Sequence, residues 1–446
     1  MDDWLWLSAA DLGRGIATGD IDPVDLCEIY LAAIDAHPLT DRIYARVTHD
    51  RARVEAKSAS DRAQTGQRRS PLDGVPVSWK DLFDTAGIGT EAGTALMAGR
   101  VPDRDAKVVQ TATSMGLVCL GKTHMSEIAF SGLGLNPITA TPPCINNSEA
   151  VPGGSSSGSA ASVAFGLAAA SIGSDTGGSV RIPSVWNDLV GLKTTIGRVP
   201  VDGTVPLCTR FDTIGPLCRT VEDAALMLAA LEGTQSVDLS GATLKGLRFA
   251  ALQTVVLDDV DRACRAAYEE ALDFLQVMGA EIVPLEIPDL TRAFEMSLPL
   301  YTADAYANWR DPVEAHPDKM FPQILERVSA GKTVLAHDYL ALWDELELIR
   351  WQYAHATAGF DAVLCPGAAN MPPDAARLLS DDAYYVEQNL LTLRNTRVAN
   401  LMGLASLAIP TGLPSRGLLV NIRPGSEEHL LRIGAAIEAA LTGALA

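Results

Sequence analysis

With 446 residues, 48% of them apolar and 20% charged, the chain can bury a large core and lacks the composition of a disordered one. Its formal charge of −20 repels phosphate backbones and anionic lipid, which argues against nucleic acid or a membrane as partner. No apolar run reaches the roughly 18 residues needed to span a bilayer, and the acidic start MDDWLWLSAADL lacks a secretory signal's basic head, so the expected compartment is the cytoplasm. In chain order, a capped amphipathic helix is predicted over 8–18, with Ser8 as cap and Leu7, Leu12 and Ile16 on one face. A second helix opens at Asp22-Pro23 and a polar one covers 50–67. A turn and short apolar strand follow at 72–77, and Lys80 stands where that strand ends. Then come a helix over 108–115, a buried strand over 116–120, and helices over 125–131 and 159–170. This rhythm implies a mixed or parallel sheet with helices on both faces, an α/β fold. Beyond Glu222 the pattern is mostly helical, over 221–231, 258–278 and 337–357. A strand at 362–365 and a hairpin-like pair within 406–422 return to the sheet. One domain, 1–446, is the economical organisation. Seven scattered cysteines without a CxxC pair read as free, mostly buried thiols.

Two small-residue loops stand out, GGSSSGSA at 153–160 and GSDTGGS at 173–179. Glycine permits unusual φ and removes the Cβ, so several N–H groups can aim at one oxygen, as an oxyanion hole requires. A phosphate-cradling loop is the other reading of either alone. Lys80 is the third element: Ser78, Trp79 and Phe83 could shield it from water, and a desolvated lysine becomes a neutral amine able to accept a serine proton. A lone lysine at a strand end is otherwise a solvated charge. Three competing patterns are weaker. GLVCLGKT at 116–123 fits the Walker A spacing, but its four middle residues suit a buried strand. GSSSG at 154–158 fits a nucleophile elbow with Ser156 as nucleophile. His316, His337, His355 and His429, however, sit in helical or loop contexts without a triad signature. His124 beside Glu127 lacks a second histidine at ligand spacing, so no metal is expected.

Four stretches resemble the amidase signature hydrolases: LDGVPVSWKD (72–81), GKTHMSE (121–127), the serine-rich loop, and DTGGSVRIP (175–183). The likeness continues through VGLKT (190–194) and DTIGP (212–216) and thins near 360–366 and 400–412. The spacings match too, with 75 residues from Lys80 to Ser155 and 24 from Ser155 to Ser179. The resemblance implies a central mixed sheet covered on both faces by helices, with a signature core about 72–225 and a variable, substrate-determining region about 230–400. It also implies a Ser–cis-Ser–Lys triad. Ser179 would be the nucleophile, Ser155 the bridging serine behind a cis peptide after Gly154, and Lys80 the base. Thr176, Gly177, Gly178 and Ser179 would form the oxyanion hole, and the carbonyl of Ala129 would contact substrate. Asp175 and Arg181 would support the nucleophile. Departures from the family pattern are Ser157 for a glycine, Trp79 beside the lysine, Thr194 for a proline, and a 136–152 segment without the asparagine–proline–tryptophan stretch.

The implied reaction is hydrolysis of a small-molecule carboxamide to a carboxylate and ammonia or an amine, through an acyl-enzyme and without a cofactor. A glutamine amidase subunit of an amidotransferase is the alternative within the family. A Ser-His-Asp esterase, or a binding protein that has lost turnover, is the alternative outside the predicted chemistry. The oligomeric state is open, a homodimer being one option. Arg210 and Arg397 could face a carboxylate-bearing substrate, with a surface ion pair the expected role of each.

Overall fold

Short apolar runs bounded by glycine, proline or polar turns form eleven strands in the computed structural model, which describes residues 2–443. They are β1 (Tyr44–Val47), β2 (Pro76–Lys80), β3 (Val118–Thr123), β4 (Ala170–Asp175), β5 (Val190–Lys193) and β6 (Thr213–Cys218). The second half of the chain adds β7 (Arg248–Leu252), β8 (Glu281–Leu285), β9 (Ala362–Pro366), β10 (Ala405–Pro410) and β11 (Gly417–Ile422). All join one sheet in the order β1-β3-β2-β4-β6-β5-β10-β11-β9-β7-β8. β2 lies parallel to β3 and β4, and β7 parallel to β8 and β9, whereas β4, β5, β6, β10 and β11 pair antiparallel with one another. Every residue of β2 through β6 is buried, while β8 at the edge is largely open. Continuous burial of inner strands is what helices on both sides of a sheet produce. The fold is therefore the expected α/β class with a mixed central sheet flanked by helices.

The helix starts follow local chemistry. Ser8 accepts from Asp11 N ahead of Ala9–Thr18, and Asp22 accepts from Val24 N ahead of Pro23–Ala36. Thr220 and Asp223 form a reciprocal capping box on Val221–Glu232. Three expectations change. The segment 125–131 is not a helix but a single turn, Glu127–Ala129, because Ile128 and Ala129 adopt left-handed φ of 44° and 62°. The helix expected at 159–170 is Ser157–Ala164; Gly166 turns the chain with φ 73°, and Ala170 already belongs to β4. The strand expected at 116–120 lies at Val118–Thr123. The longest helix, Asp289–Ala315, lies outside the predicted elements and carries Pro299 and Pro312 in its interior. All seven cysteines are free and buried. Among the described residues no helix is long and apolar enough to cross a membrane.

Helix Ser157–Ala164 sits so close to the sheet that only small side chains fit. A Cβ on Gly158 would collide with Ile43 O and His124 N. Ser78 Oγ and Ser162 Oγ are 2.8 Å apart, and Ser78 Oγ donates to Ser171 Oγ at 2.7 Å. These hydroxyls satisfy one another between β2, β4 and the helix, so the serine-rich composition costs no unpaired buried group. Ser157 Oγ donates to His124 O at 3.3 Å.

Candidate active site

β2 and β4 run side by side, Val77 opposite Ala170 and Trp79 opposite Ile172, so their carboxyl ends open at one edge. Parallel α/β sheets place ligands outside such ends. β2 delivers Lys80 there, and β4 delivers Asp175 and the loop 176–180. The loop carrying Ser155 arrives from β3 and enters helix Ser157–Ala164. Ser156 N donates to Ser179 O at 3.2 Å, tying the two glycine-rich loops together, and the Gly154–Ser155 peptide is cis. Lys80, Ser155 and Ser179 thus reach the same edge.

Lys80 has no solvent exposure, and its Nζ donates to Ser155 Oγ at 2.6 Å and to Ser174 Oγ at 2.8 Å. Among the described residues no carboxylate pairs with it, unlike Lys122, whose Nζ lies 3.5 Å from Asp81. Removal from water pushes the Lys80 ammonium down to about 7, against the opposing pull of Asp175 and Asp212. Near neutral pH much of this side chain is therefore an uncharged amine facing hydroxyl partners. Ser174, its second contact, could not be singled out from sequence, because it lies inside the loop motif without a role there. Trp79 packs edge-on against Phe83 at 5.2 Å and helps keep this region dry.

Asp175 organises the neighbouring loop. Its carboxylate accepts from Gly178 N (2.9 Å), Val180 N (3.1 Å), Arg181 Nε and Nη2 (both 3.0 Å) and Asn400 Nδ2 (2.8 Å). Burial alone would raise this carboxyl, but the Arg181 guanidinium holds it well below the ordinary carboxylate range. Arg181 also donates to Thr396 O at 2.8 Å and Asn400 Oδ1 at 2.6 Å, so the pair is fully satisfied in the core. Wrapping around Asp175 forces Gly178 to φ 136°, where a Cβ would collide with Thr396 Oγ1. The Gly178 amide is thereby committed to a carboxylate. Among the described residues no acceptor takes the N–H of Gly177 or Ser179.

Ser179 opens on a cavity of about 20 Å³, room for about one water. Thr176, Gly177, Ala129, Phe130 and Ser131 line its near side, and Tyr301, Arg327, Leu393 and Arg397 its far side. The turn bearing Ala129 is pinned by Glu127, which accepts from Thr94 Oγ1 at 2.8 Å and Phe321 N at 2.9 Å. Burial raises that carboxyl to about 7. Thr176 Oγ1 donates to Asp212 Oδ1 at 2.5 Å, and Asp212 also accepts from Leu207 N at 2.9 Å. Burial lifts Asp212 to about 6. Asp212 stands in a motif visible in the sequence, yet nothing there assigns it a partner. A larger cleft, about 1300 Å³ and lined by Trp343, Trp351, Phe360 and His429, contains none of the three residues that meet at the sheet edge.

The competing patterns resolve as packing. Lys122 of the Walker A-like stretch is buried and donates to Phe83 O at 2.6 Å and Thr90 Oγ1 at 2.9 Å, inside β3 and not in a loop. Ser156 Oγ donates to Ser174 O at 3.3 Å, and no histidine ring bonds to it. Glu127, beside His124 in sequence, accepts from Thr94 Oγ1 and Phe321 N. Among the described residues, Arg210 and Arg397 make none of the surface ion pairs expected for them. Arg210 lies over the Tyr339 and Trp343 rings, and Arg397 is buried against the Ser179 cavity.

With this geometry in hand, comparison with known proteins is specific. The Amidase family model matches residues 25–431. A glutamyl-tRNA(Gln) amidotransferase subunit from Anaeromyxobacter sp. (strain K) is 33% identical over 476 residues, covering 97% of this chain and 96% of that protein. The 2-amino-5-chloromuconic acid deaminase of Comamonas testosteroni is 34% identical over 432 residues, covering 93% of this chain and 91% of that one. Among solved structures, the peptide amidase from Stenotrophomonas maltophilia superposes with a TM-score of 0.81 at 27% identity, covering 98% of this chain and 97% of that chain.

Proposed function

This chain belongs to the amidase family, enzymes acting on C–N amide bonds, and from that premise we propose that it hydrolyses a carboxamide through an ester on Ser179. The observation that carries the reading is Lys80, wholly buried without a carboxylate partner and 2.6 Å from Ser155 Oγ. In the proposed sequence the uncharged Lys80 amine takes the Ser155 proton while Ser155 takes that of Ser179. The Ser179 Oγ bonds to the carbonyl carbon, and the carbonyl π electrons move onto oxygen. In this reading the N–H groups of Gly177 and Ser179, which have no acceptor among the described residues, donate to that oxygen, with Thr176 and Gly178 shaping the loop. Collapse breaks the C–N bond as the proton returns through Ser155 to the leaving nitrogen. Water then repeats the steps on the ester, so that amide and water become carboxylate and ammonia or an amine. Ala129, at the cavity wall, offers its carbonyl to the substrate, and Asp175 with Arg181 positions the loop. Residues 2–443 act as one domain in this reading.

A fluorophosphonate probe tests it. Peptide mass analysis of the labelled full-length protein should place the adduct on Ser179, with labelling lost in Ser179→Ala. An adduct on Ser156 would instead favour the esterase arrangement. The end-to-end likeness to an amidotransferase subunit supports a second reading, glutamine hydrolysis that feeds ammonia to a partner chain; co-purification with such a chain would distinguish it.

A further inference from the structure

The far wall of the Ser179 cavity holds positive charge that amide cleavage does not need. Arg397, on helix Asp382–Leu401, is 8% exposed and lines the cavity. Its guanidinium lies 5.9 Å from the Tyr301 ring centre; among the described residues it donates no hydrogen bond and meets no carboxylate. Arg327, on helix Pro322–Ser329, lines the same cavity. One of its nitrogens donates to Phe130 O at 3.0 Å, and its guanidinium lies 4.3 Å over the Phe130 ring, again without a carboxylate. The Tyr301 hydroxyl, in the same wall, is buried and lacks a hydrogen-bond partner. Two guanidiniums and an unpartnered phenol therefore border one small cavity, and among the described residues no carboxylate faces them.

Leaving two cations desolvated and uncompensated is unfavourable, and such groups are normally paired or shifted. Burial, with the like charge of Arg397, lowers Arg327 to about 10, and burial lowers Arg397 as well. The omission is notable in a chain with 55 acidic residues and a net charge of −20. A ligand that brings its own anion would satisfy both guanidiniums and the phenol together, since the planar guanidinium fork matches a carboxylate.

We propose that Arg397, Arg327 and the Tyr301 hydroxyl form an anion subsite beside Ser179, and that the preferred substrate is an amide of a short acid bearing a second, ionised carboxylate. This rests on the amide-hydrolysis reading above and adds the substrate class to it. The probes are the monoamide succinamate and its neutral counterpart butyramide, which lacks the second carboxylate.

Ammonia release from the full-length enzyme should give a kcat/KM for succinamate at least about 50-fold above that for butyramide, as expected for a charge-assisted pair. Arg397→Gln should collapse that ratio, chiefly through KM, and Arg397→Lys should restore part of it. Calorimetric titration of Ser179→Ala with succinate reads the subsite without turnover, and succinate binding should weaken when Arg397→Gln is added. Equal kcat/KM for the two amides, or a ratio unchanged in Arg397→Gln, overturns the subsite while leaving amide hydrolysis intact. If neither amide is turned over, the succinate titration decides: saturable binding lost in Arg397→Gln supports the subsite, and no binding overturns it.

Discussion

The sheet edge and the helical wall that meet at Ser179 treat buried charge in opposite ways. At the edge, Asp175 and Arg181 are both fully buried and neutralise each other through two 3.0 Å contacts, with Asn400 and Thr396 filling the remaining positions. Lys80, one strand over, is pushed toward its neutral form among serine hydroxyls. On the wall, Arg327 and the buried Arg397 border the cavity with no counter-ion among the described residues. The edge is electrostatically complete within the chain, whereas the wall is complete only with something bound. In the proposed reading, reactivity falls to residues before about 220 and selectivity to helices beyond 285.

The sharpest way to break this division is to remove the amine. Lys80→Met keeps a flexible apolar stem but deletes the proposed proton carrier. It should lower kcat by about 10³-fold or more, at the level typical for losing a general base together with its nucleophile's activation. In the wild-type enzyme kcat/KM should rise between about pH 6 and 8, because the active form is the deprotonated amine and its folded value is about 7. A flat profile over that range would remove Lys80 from the role. Stability carries the same signature with a defined sign. The unfolded chain holds a proton on this lysine up to about 10.5, whereas the folded chain releases it near 7, so stability grows as pH rises through that window. Lys80→Met should flatten part of that slope in denaturant titrations, with Lys193, also depressed to about 7, retaining its share.

The edge was legible and the wall was not, for physical reasons. Loops that crowd N–H groups must use glycine and small hydroxyl residues, and that requirement is written locally at 153–160 and 173–179. The lysine was traceable because a strand end and its aromatic neighbours are also local features. Arg397 and Tyr301, by contrast, lie on helices whose buried face is decided by packing partners far away in sequence. Tyr301 sits in Asp289–Ala315, a helix outside the predicted elements. Arg397 read as a surface cation, although its helix carries eleven buried residues, including Asn395, Thr396 and Asn400. Local pattern also mistook 125–131 for a helix, since nothing in its composition announces two consecutive left-handed residues. Asp212 and Ser174 fell between these cases: their motifs were visible, but a role emerges only once Thr176 and Lys80 are seen bonded to them.

A second variant pair sharpens the contrast in stability instead of rate. Arg181→Met strands the Asp175 carboxylate in the core, which costs about 3–5 kcal/mol when one partner of a buried pair is removed. Arg397→Gln removes a cation that has no partner, so its effect on unfolding free energy should stay within about 1 kcal/mol or be favourable. Chemical denaturation of the two proteins side by side provides the measurement. Similar large losses in both would mean that the wall arginine is structurally paired after all.

The smallest effect belongs to Ser156, and it separates the two candidate nucleophiles. Ser156 opens helix Ser157–Ala164 with φ −85° and ψ 52°, and its side chain makes no capping bond. Its structural contribution comes from the backbone, whose N–H donates to Ser179 O, and alanine preserves that bond. The hydroxyl adds only a 3.3 Å contact to Ser174 O, a weak bond whose loss should cost about 1 kcal/mol or less. Ser156→Ala should therefore retain turnover to within a few-fold, while Ser179→Ala abolishes it at unchanged folding. Because Ser156 lies one residue from Ser155 and bonds directly to Ser179, any large loss in Ser156→Ala cannot be dismissed as remote. If ammonia release disappears in Ser156→Ala and persists in Ser179→Ala, the reactive oxygen lies on the helix-opening loop, and Lys80 is left bonded to a serine that does no chemistry.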